Sequence, residues 1–181
     1  QTWRKLTNGL PDNEVTGASD LVIHPSNPDI LYAGMWDRLR EPNRLNSGGP
    51  NSGLYRTTDG GDSWEQLTDG LPEGDVGKVG VAVARSNPDV VMAFVEHGFQ
   101  PAERLDDGTP NPDFEDMSQL GTGIYRSEDG GESWEYVNRY QSRPFYYSHI
   151  WINPADDQIV YIVASRFSIS YDGGRTLEQQ S

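Results

Sequence analysis

Several side chains of this sequence have the chemistry and the placement that acid–base work requires. Glu96 and His97 are adjacent, and a carboxylate beside an imidazole can exchange protons near neutral pH. Two carboxylates facing each other across a cleft can hydrolyse glycosidic bonds, and the candidates for such a pair are Asp37, Glu41, Glu96 and Asp116. Adjacent strand residues point to opposite faces, so we favour solvated loop chemistry for Glu96 and His97.

Aromatic and basic side chains form a second group, which suits binding. Flat rings on which a sugar or a peptide side chain could stack are provided by Trp36, Tyr146, Tyr147 and Trp151. Trp151 alternates with Ile150 and Ile152, a pattern that predicts burial between sheets. The candidate ligand-binding residues are Trp36, Asp37, Arg38, Glu96, His97, Arg143, Tyr146, Tyr147 and Arg166.

An acidic loop offers oxygen atoms that calcium could use, from Asp106, Asp107 and Asp113. The spacing of these residues does not match an EF-hand loop, so we favour a solvated loop and expect no cofactor. The chain has no cysteine, which excludes disulfides and thiolate metal sites.

Two kinds of block recur along the chain and must position these residues. The first has two apolar runs around an Asn-Pro-Asp or Asp-Asp turn, as in IHPSNPDILYA from Ile23, VARSNPDVVMA from Val83 and INPADDQIVYI from Ile152. The second occurs as GLYRTTDGGDSWEQL from Gly53, GIYRSEDGGESWEYV from Gly123 and FSISYDGGRTLEQQ from Phe167. Together they predict a four-stranded antiparallel meander in each unit, without any helical period.

The second block carries an aspartate at a constant place, and we call it the box. Its carboxylate can accept backbone N–H bonds across a tight turn, while the glycines supply left-handed backbone angles and a tryptophan opens the next strand. Because the pattern recurs, we expect a structural role for Asp59, Gly61, Trp64, Asp129, Gly131, Trp134, Asp172 and Gly174. The third box has Leu177 where tryptophan is expected, which leaves its packing open.

The spacing of the boxes defines the units. Asp129 and Asp172 are 43 residues apart, whereas Asp59 and Asp129 are 70 apart, so 27 extra residues lie mostly between the second and third strands. Residues 1–11 align with residues 62–72, which predicts that the chain begins inside a box and belongs to a longer polypeptide. We predict the end of one unit at 1–11 and further units at 12–69, 70–139 and 140–181.

An up-and-down meander assigns its connections to two faces. The first-to-second and third-to-fourth strand turns share one face with the boxes, which we call the box face. The opposite loop face carries the long segments 38–52, 98–122 and 138–147, which the sequence predicts to be irregular. Long loops on a rigid scaffold are the usual place of binding groups, and matching positions there differ in chemistry: Asp37, His97 and Arg166.

The charge balance narrows the range of partners. The chain has 28 acidic residues against 14 basic ones, a net charge of −14. This charge repels nucleic-acid phosphates and anionic lipid, and no apolar run is long enough for a membrane span, so we expect neither nucleic-acid binding nor membrane insertion. Nothing in this segment resembles a signal peptide.

The box sequence resembles the Asp box, or BNR repeat, of sialidases, xyloglucanases, sortilin-type propellers and photosystem II assembly factors. Residues 57–64 and 127–134 match the pattern, with Thr57 in place of the first serine. The resemblance implies an all-β, partial β-propeller of about three four-stranded antiparallel blades. It is strongest to bacterial secreted proteins with sortilin-like or xyloglucanase-like propellers, which implies an extracellular or cell-surface location, with the periplasm as an alternative.

The sequence leaves three functions open. Binding of a glycan or an extended peptide on the loop face is the use that sortilin-type propellers imply. A glycoside hydrolase would need paired carboxylates on that face, and the absence of a FRIP-like motif disfavours a sialidase in particular. The third function is a purely structural set of blades within a larger extracellular assembly. In each case the remaining blades, from the same polypeptide or another copy, are a required partner.

Overall fold

The computed structural model describes residues 2–140, 143, 145–146 and 149–180. These residues form three antiparallel sheets that follow one another along the chain, together with one short helix. No helix in this described part is long and apolar enough to cross a membrane. The all-β architecture, with one meander for each repeat, is confirmed.

Sheet I pairs its strands in the order β1-β2-β4-β5, with β3 on the extended end of β2. Its strands are β1 (Thr16–Ile23), β2 (Leu31–Glu41), β3 (Arg44–Ser47), β4 (Gly53–Thr57) and β5 (Glu65–Leu67). The prediction of an irregular segment over 38–52 was therefore partly wrong, because β2 continues past the sheet and folds back as an ordered hairpin.

Sheets II and III are four-stranded meanders in chain order. Sheet II contains β6 (Val76–Val83), β7 (Val91–His97), β8 (Gly123–Ser127) and β9 (Glu135–Asn138), with the helix α1 (Pro112–Glu115) in the β7–β8 connection. Sheet III contains β10 (His149–Asn153), β11 (Asp156–Val163), β12 (Phe167–Ser170) and β13 (Glu178–Gln179). The long connections of sheets I and II return at equivalent places, since Met35 pairs with Gly53 and Val95 with Gly123.

The sheets pack face to face through the alternation of side chains along their strands. On β7, Val91, Ala93 and Val95 join an apolar cluster shared with sheet I, while Met92 and Phe94 join one shared with sheet III. Each strand of sheet II thus supplies both junctions, which is why its residues are the most completely buried of the chain.

Arginine side chains form hydrogen bonds across both junctions, from sheet I to sheet II and from sheet II to sheet III. The Arg56 guanidinium donates to the carbonyl of Gly130 (3.0 Å) and to the Glu132 carboxylate (2.7 Å) in the next sheet. Arg126 is 2% exposed and donates to the carbonyl (3.1 Å) and carboxylate (2.9 Å) of Asp157. In sheet III the equivalent position is Ile169, so the outer face of that sheet is apolar.

The box aspartates close their turns as predicted. The Asp59 carboxylate accepts the hydroxyls of Thr57 (2.7 Å) and Ser63 (2.5 Å) and the Ser63 backbone N–H (2.9 Å), while the Thr57 hydroxyl accepts the Gly61 N–H (3.0 Å). The same bonds surround the other two aspartates, Asp129 and Asp172. The glycines hold left-handed angles, with φ of 74° and 95° in the first box.

Each box also contacts the preceding repeat. A β-carbon on Gly131 would lie 3.1 Å from Leu67, and one on Gly174 would lie 3.3 Å from Ile124 of sheet II. Leu6 approaches Gly61 in the same way, so residues near the N-terminus take the place of a preceding outer strand. Trp64 and Trp134 are buried, and Leu177 packs against the sheet II–III cluster in place of the third tryptophan.

The predicted division into two faces is confirmed by hydrogen bonds between turns. The Gly60 N–H donates to the carbonyl of Asp29 (2.9 Å), and Gly130 donates to Asp89 (2.8 Å). The third box repeats the bond with Gln158. The box and the first-to-second strand turn therefore lie together in every sheet.

Trp151 is not buried within the three described sheets. Its side chain is 50% exposed and stacks on His149, with ring centroids 5.5 Å apart. Ile150 and Ile152 pack towards sheet II, so the alternation turns Trp151 to the outer face of sheet III. Alternation fixes the face to which a side chain points, but what covers that face is a separate matter.

Close approach at Gly70 makes a prediction about stability. Its φ is 77°, and an added β-carbon would lie 2.0 Å from the backbone oxygen of Trp134. Gly74 has a similar φ of 91° but open space around it, so Gly74→Ala isolates the cost of the backbone angle, about 1–2 kcal/mol. We expect Gly70→Ala to lower the free energy of unfolding by about 3 kcal/mol in urea titrations. Equal losses for the two variants would contradict this contact.

Acid should weaken the boxes. Hydrogen bonds from Ser133, and also from Ser127, lower the pKa of Asp129 to about 2. Because this value lies below the unfolded pKa of about 3.9, the stabilisation is complete above the unfolded pKa and disappears as pH falls towards 2. Asp129→Asn should therefore lose less stability between pH 5 and pH 2 than the parent protein does in urea titrations. Asp69→Asn, at an exposed position, is the control and should follow the parent curve.

Candidate functional site

The candidate site lies on the loop face where sheets I and II meet. The hairpin of β2 and β3 ends in a segment that crosses to sheet II, where the Gly49 N–H donates to the carbonyl of Val76 (3.1 Å). The Gly48 N–H donates back to the carbonyl of Asp37 (2.9 Å). The segment thus joins the two sheets directly above their shared apolar cluster.

Asp37 holds this segment from the side of sheet I. It is 7% exposed, and its carboxylate accepts the Thr16 hydroxyl, the Asn51 side-chain amide (3.0 Å) and the Asn51 backbone N–H (3.2 Å). Its own N–H donates to the Ser52 hydroxyl (2.8 Å). A buried carboxylate with this many donors is stabilised in its place and orders the chain around it.

Glu96 holds the same segment from the side of sheet II. It is 7% exposed rather than solvated, so that prediction was wrong. One carboxylate oxygen accepts the Ser47 hydroxyl (2.6 Å) and the Lys78 backbone N–H (2.8 Å), and the Trp36 indole donates to the same hydroxyl (3.0 Å). Burial lowers the pKa of Lys78 even though Asp20 and Glu96 lie near it.

His97 connects two loops. Its Nδ1 accepts the Phe99 N–H (3.1 Å), and its Nε2 lies 3.0 Å from the carbonyl of Glu73. An accepting Nδ1 implies that Nε2 carries the proton and donates it to this carbonyl. Both ring nitrogens therefore form hydrogen bonds with backbone groups, and the half-buried imidazole links two loops. The prediction of a solvated side chain was wrong.

Two cavities open on the loop face around this junction. The larger, of about 540 Å³, has an apolar floor formed by Leu54, Leu67, Leu71, Val76, Val79 and Val95 and a polar rim that includes Gln66, Thr68, Glu73 and Asp75. The smaller, of about 210 Å³, is lined by residues that include Asp37, Arg38 and Asn46. Pro50 lines both cavities, so the two adjoin at this residue.

The predicted binding residues divide into two groups. Arg38 and Asp37 line the smaller cavity, and the Arg38 guanidinium lies 5.2 Å from the centroid of the Trp36 ring. Trp36, Glu96 and His97 lie at the same junction but line neither cavity. The other members belong to the sheet III side, and the described ones line neither cavity: Arg143, Tyr146 and Arg166. The Arg166 guanidinium donates to the side-chain carbonyl of Gln179 (2.5 Å), and the backbone carbonyl of Arg143 accepts the Tyr146 N–H (2.9 Å). Tyr147 lies outside the described residues.

Asp116 belongs to the anchor of the β7–β8 connection. Its carboxylate accepts bonds from Ser118 and Gln119, which lower its pKa. Its backbone carbonyl accepts a hydrogen bond from the guanidinium of Arg139 (2.7 Å). Arg139 is 5% exposed, and its guanidinium lies 5.1 Å from the Tyr136 ring centroid. Charge and rings together fix this connection to sheet II.

The acidic loop has no convergent ligand set in the described part of the chain, where no three His, Cys, Asp or Glu side chains could hold a metal ion. Asp107 accepts the N–H and hydroxyl of Thr109, and these bonds lower its pKa. Asp113 lies in the first turn of α1. Calcium at Asp106, Asp107 and Asp113 stays a prediction.

Sequence reasoning missed several residues of the cavities and of their support, among them Ser47, Pro50, Leu71 and Glu73. One signal was present, because Gly-Leu-Pro recurs at 9–11 and 70–72 and places a leucine in a connection. Leu71 is buried and forms part of the larger cavity. The others act through contacts across the two sheets, which no local pattern records.

No protein-family model and no curated protein matches the chain. Solved structures do match it. YCF48 from Cyanidioschyzon merolae aligns at TM-score 0.53 and 13% identity, over 94% of this chain and 38% of that one. The structure of YCF48 bound to D1 peptide aligns at TM-score 0.51 and 16% identity, over 96% of this chain and 46% of that one. The GH74 xyloglucanase from Xanthomonas campestris aligns at TM-score 0.51 and 19% identity, over 81% of this chain and 20% of that one.

This chain is a segment of a β-propeller. Its three sheets are blades, and it spans less than half the length of each of these propeller structures. At such low identities the likeness shows the fold alone, so the function of this propeller segment must be argued from its own residues.

The tie between blades at Ser47 is open to test. Ser47→Ala removes the donor to Glu96 and the acceptor of the Trp36 indole. We expect a loss of about 1–3 kcal/mol in the free energy of unfolding, because the Trp36 indole loses its acceptor and the buried Glu96 carboxylate keeps only the Lys78 N–H. Ser26→Ala, on an exposed turn, serves as the control. If Ser47→Ala leaves the midpoint of urea unfolding unchanged, the hydroxyl does not join the blades.

Proposed function

We propose that this propeller segment binds an extended peptide on its loop face, at the junction of the first two blades. The observation that carries the proposal is the pair of cavities on either side of Pro50, with buried aliphatic side chains as the floor of the larger one. Concave sites with an apolar floor and a few polar groups at the rim are typical of ligand sites, and 540 Å³ is in their usual range.

Two adjoining cavities favour an extended ligand over a compact one. In an extended peptide, residues i and i+2 point to the same side and lie about 6.5–7 Å apart. Such a segment can pass over Pro50 and place one side chain in each cavity. The rim also offers backbone and side-chain polar groups with which the peptide backbone can form hydrogen bonds.

The lining favours a peptide over a glycan. Sugar rings stack on aromatic plates, yet none of the described residues that line the two cavities is aromatic. The floor of the larger cavity is formed by leucine and valine, which suits an aliphatic side chain. The fold is compatible with this use, because one structure that it resembles is that of YCF48 with a bound D1 peptide.

Glycoside hydrolysis is the second candidate, favoured by two buried carboxylates, Asp37 and Glu96, at one junction. Retaining and inverting hydrolases need an acid and a second carboxylate that reach the substrate. Here the Asp37 carboxylate accepts hydrogen bonds from Thr16 and Asn51, and the Glu96 carboxylate accepts them from Ser47 and Lys78. Both carboxylates support the chain around them, so we place hydrolysis below binding.

The proposal includes further blades as partners and a location outside the cell or at its surface. Apolar side chains are exposed on the outer faces of the first and third blades, for example Leu21 (57%), Ile23 (56%) and Phe167 (41%). Their equivalents inside the described junctions pack against a neighbouring blade. Blades from the same polypeptide or from another copy would cover them. Binding of a peptide here requires no cofactor.

A blocking substitution tests the site. Thr68→Trp places an indole at the rim of the larger cavity, whereas Thr7→Trp places one at the equivalent position of the preceding repeat, which lines neither cavity. The probes are fluorescein-labelled Ser-Gly decapeptides with and without a central leucine, and fluorescence anisotropy reports binding to the full-length protein. We expect Thr68→Trp to weaken binding of the leucine peptide at least about tenfold. We expect Thr7→Trp to leave it unchanged.

Equal affinity of both tryptophan variants for the leucine peptide would contradict the site. Release of reducing ends from xyloglucan by the parent protein, abolished by Asp37→Asn or Glu96→Gln in folded protein, would favour hydrolysis instead. Near-ultraviolet circular dichroism establishes that each variant is folded.

A further inference from the structure

The rim of the larger cavity is acidic on one side. Glu73 and Asp75 flank Gly74 in the β5–β6 connection, and both are exposed. Neither forms an ion pair within the described part of the chain. The described residues lining this cavity include no lysine, arginine or histidine. The entrance therefore carries two negative charges that the cavity itself does not compensate.

The turn that carries these carboxylates is held in place. Gly74 adopts a φ of 91°, and its carbonyl accepts the Val76 N–H (3.0 Å). His97 binds the carbonyl of Glu73 from the neighbouring strand. The two side chains thus project from a fixed backbone beside the apolar floor, and His97 is a positioning residue for them.

We propose that the ligand segment carries a cationic side chain on the same side as the apolar one, as where lysine or arginine lies two residues from leucine. The inference rests on the proposed function and specifies its ligand. An apolar side chain fills the floor of the larger cavity, and the cation two residues away lies between Glu73 and Asp75 at the rim. The net charge of −14 also attracts a cationic segment and repels an anionic one.

The two cavities differ in charge, which orients the segment. Arg38 lines the smaller cavity on the far side of Pro50, so a cation there would be repelled. Asp37 in the same cavity is already engaged by Thr16 and Asn51. The cationic residue must therefore lie on the Glu73 side of the apolar residue, away from Pro50.

Three Ser-Gly decapeptides test this arrangement: one with leucine alone, one with lysine two residues after the leucine, and one with glutamate at that position. They are titrated against the full-length protein at about 50 mM and about 500 mM NaCl. The variants are Glu73→Gln/Asp75→Asn and the control Asp12→Asn/Glu14→Gln, which changes the equivalent positions of the preceding repeat.

We expect the lysine peptide to bind about three- to tenfold more tightly than the leucine peptide at low salt, since two exposed ion pairs contribute modestly. This advantage should disappear in Glu73→Gln/Asp75→Asn and at high salt, and persist in the control variant. Equal binding of the leucine and lysine peptides, or tightest binding of the glutamate peptide, would overturn the cationic preference alone. A leucine peptide that binds Thr68→Trp as well as the parent protein would overturn the proposed site itself.

Discussion

The carboxylate of each box aspartate is the constraint on which the rest of the fold depends. It gathers two hydroxyls and a backbone N–H and thereby closes a turn whose glycines have left-handed angles. Because glycine has no β-carbon, the turn can approach the preceding blade, where Gly131 contacts Leu67. The same aspartate thus sets both the course of one chain segment and the distance between two sheets.

Because of this arrangement, the box face is the same in every blade and the loop face differs between blades. On the box face every blade repeats the same bonds, and the turns bind each other through Gly60 and Asp29 or their equivalents. On the loop face no such repetition is required, so sheet I carries a hairpin, sheet II a connection with a helix, and sheet III a tight turn. Asp37 and Glu96 then serve to attach one of these variable segments to the neighbouring blade. The candidate site arises where that attachment leaves space above an apolar junction.

The parts of this architecture that could be predicted are those that local pattern controls. Alternating apolar runs, turn residues and the recurring aspartate predicted the strands, the boxes and the two faces. Asp37 and Glu96 were identified as candidates by their positions at strand ends. Their burial was not predicted, because it depends on Asn51 and on Ser47 in a hairpin that the sequence presented as irregular.

The cavity escaped prediction for a related reason. Its floor combines Leu54, Val79 and Val95 from strands of two blades, and only the packing of the blades brings these residues together. His97 was likewise expected to be solvated, yet its two ring nitrogens bind the backbone N–H of Phe99 and the backbone carbonyl of Glu73. No residue pattern in the sequence indicates these contacts.

The places where the long connections return determine how the loop face can vary. In both blades the chain leaves after the second strand and re-enters at a glycine paired with the same position, Met35 with Gly53 and Val95 with Gly123. The two connections differ in length and in secondary structure, but the blades that carry them have the same strand order. Each connection therefore begins and ends at the same two points of a common blade frame. A connection of another length or secondary structure can form a different loop face on the same frame, provided that it makes new contacts with the neighbouring blade in place of those such as Gly49 with Val76.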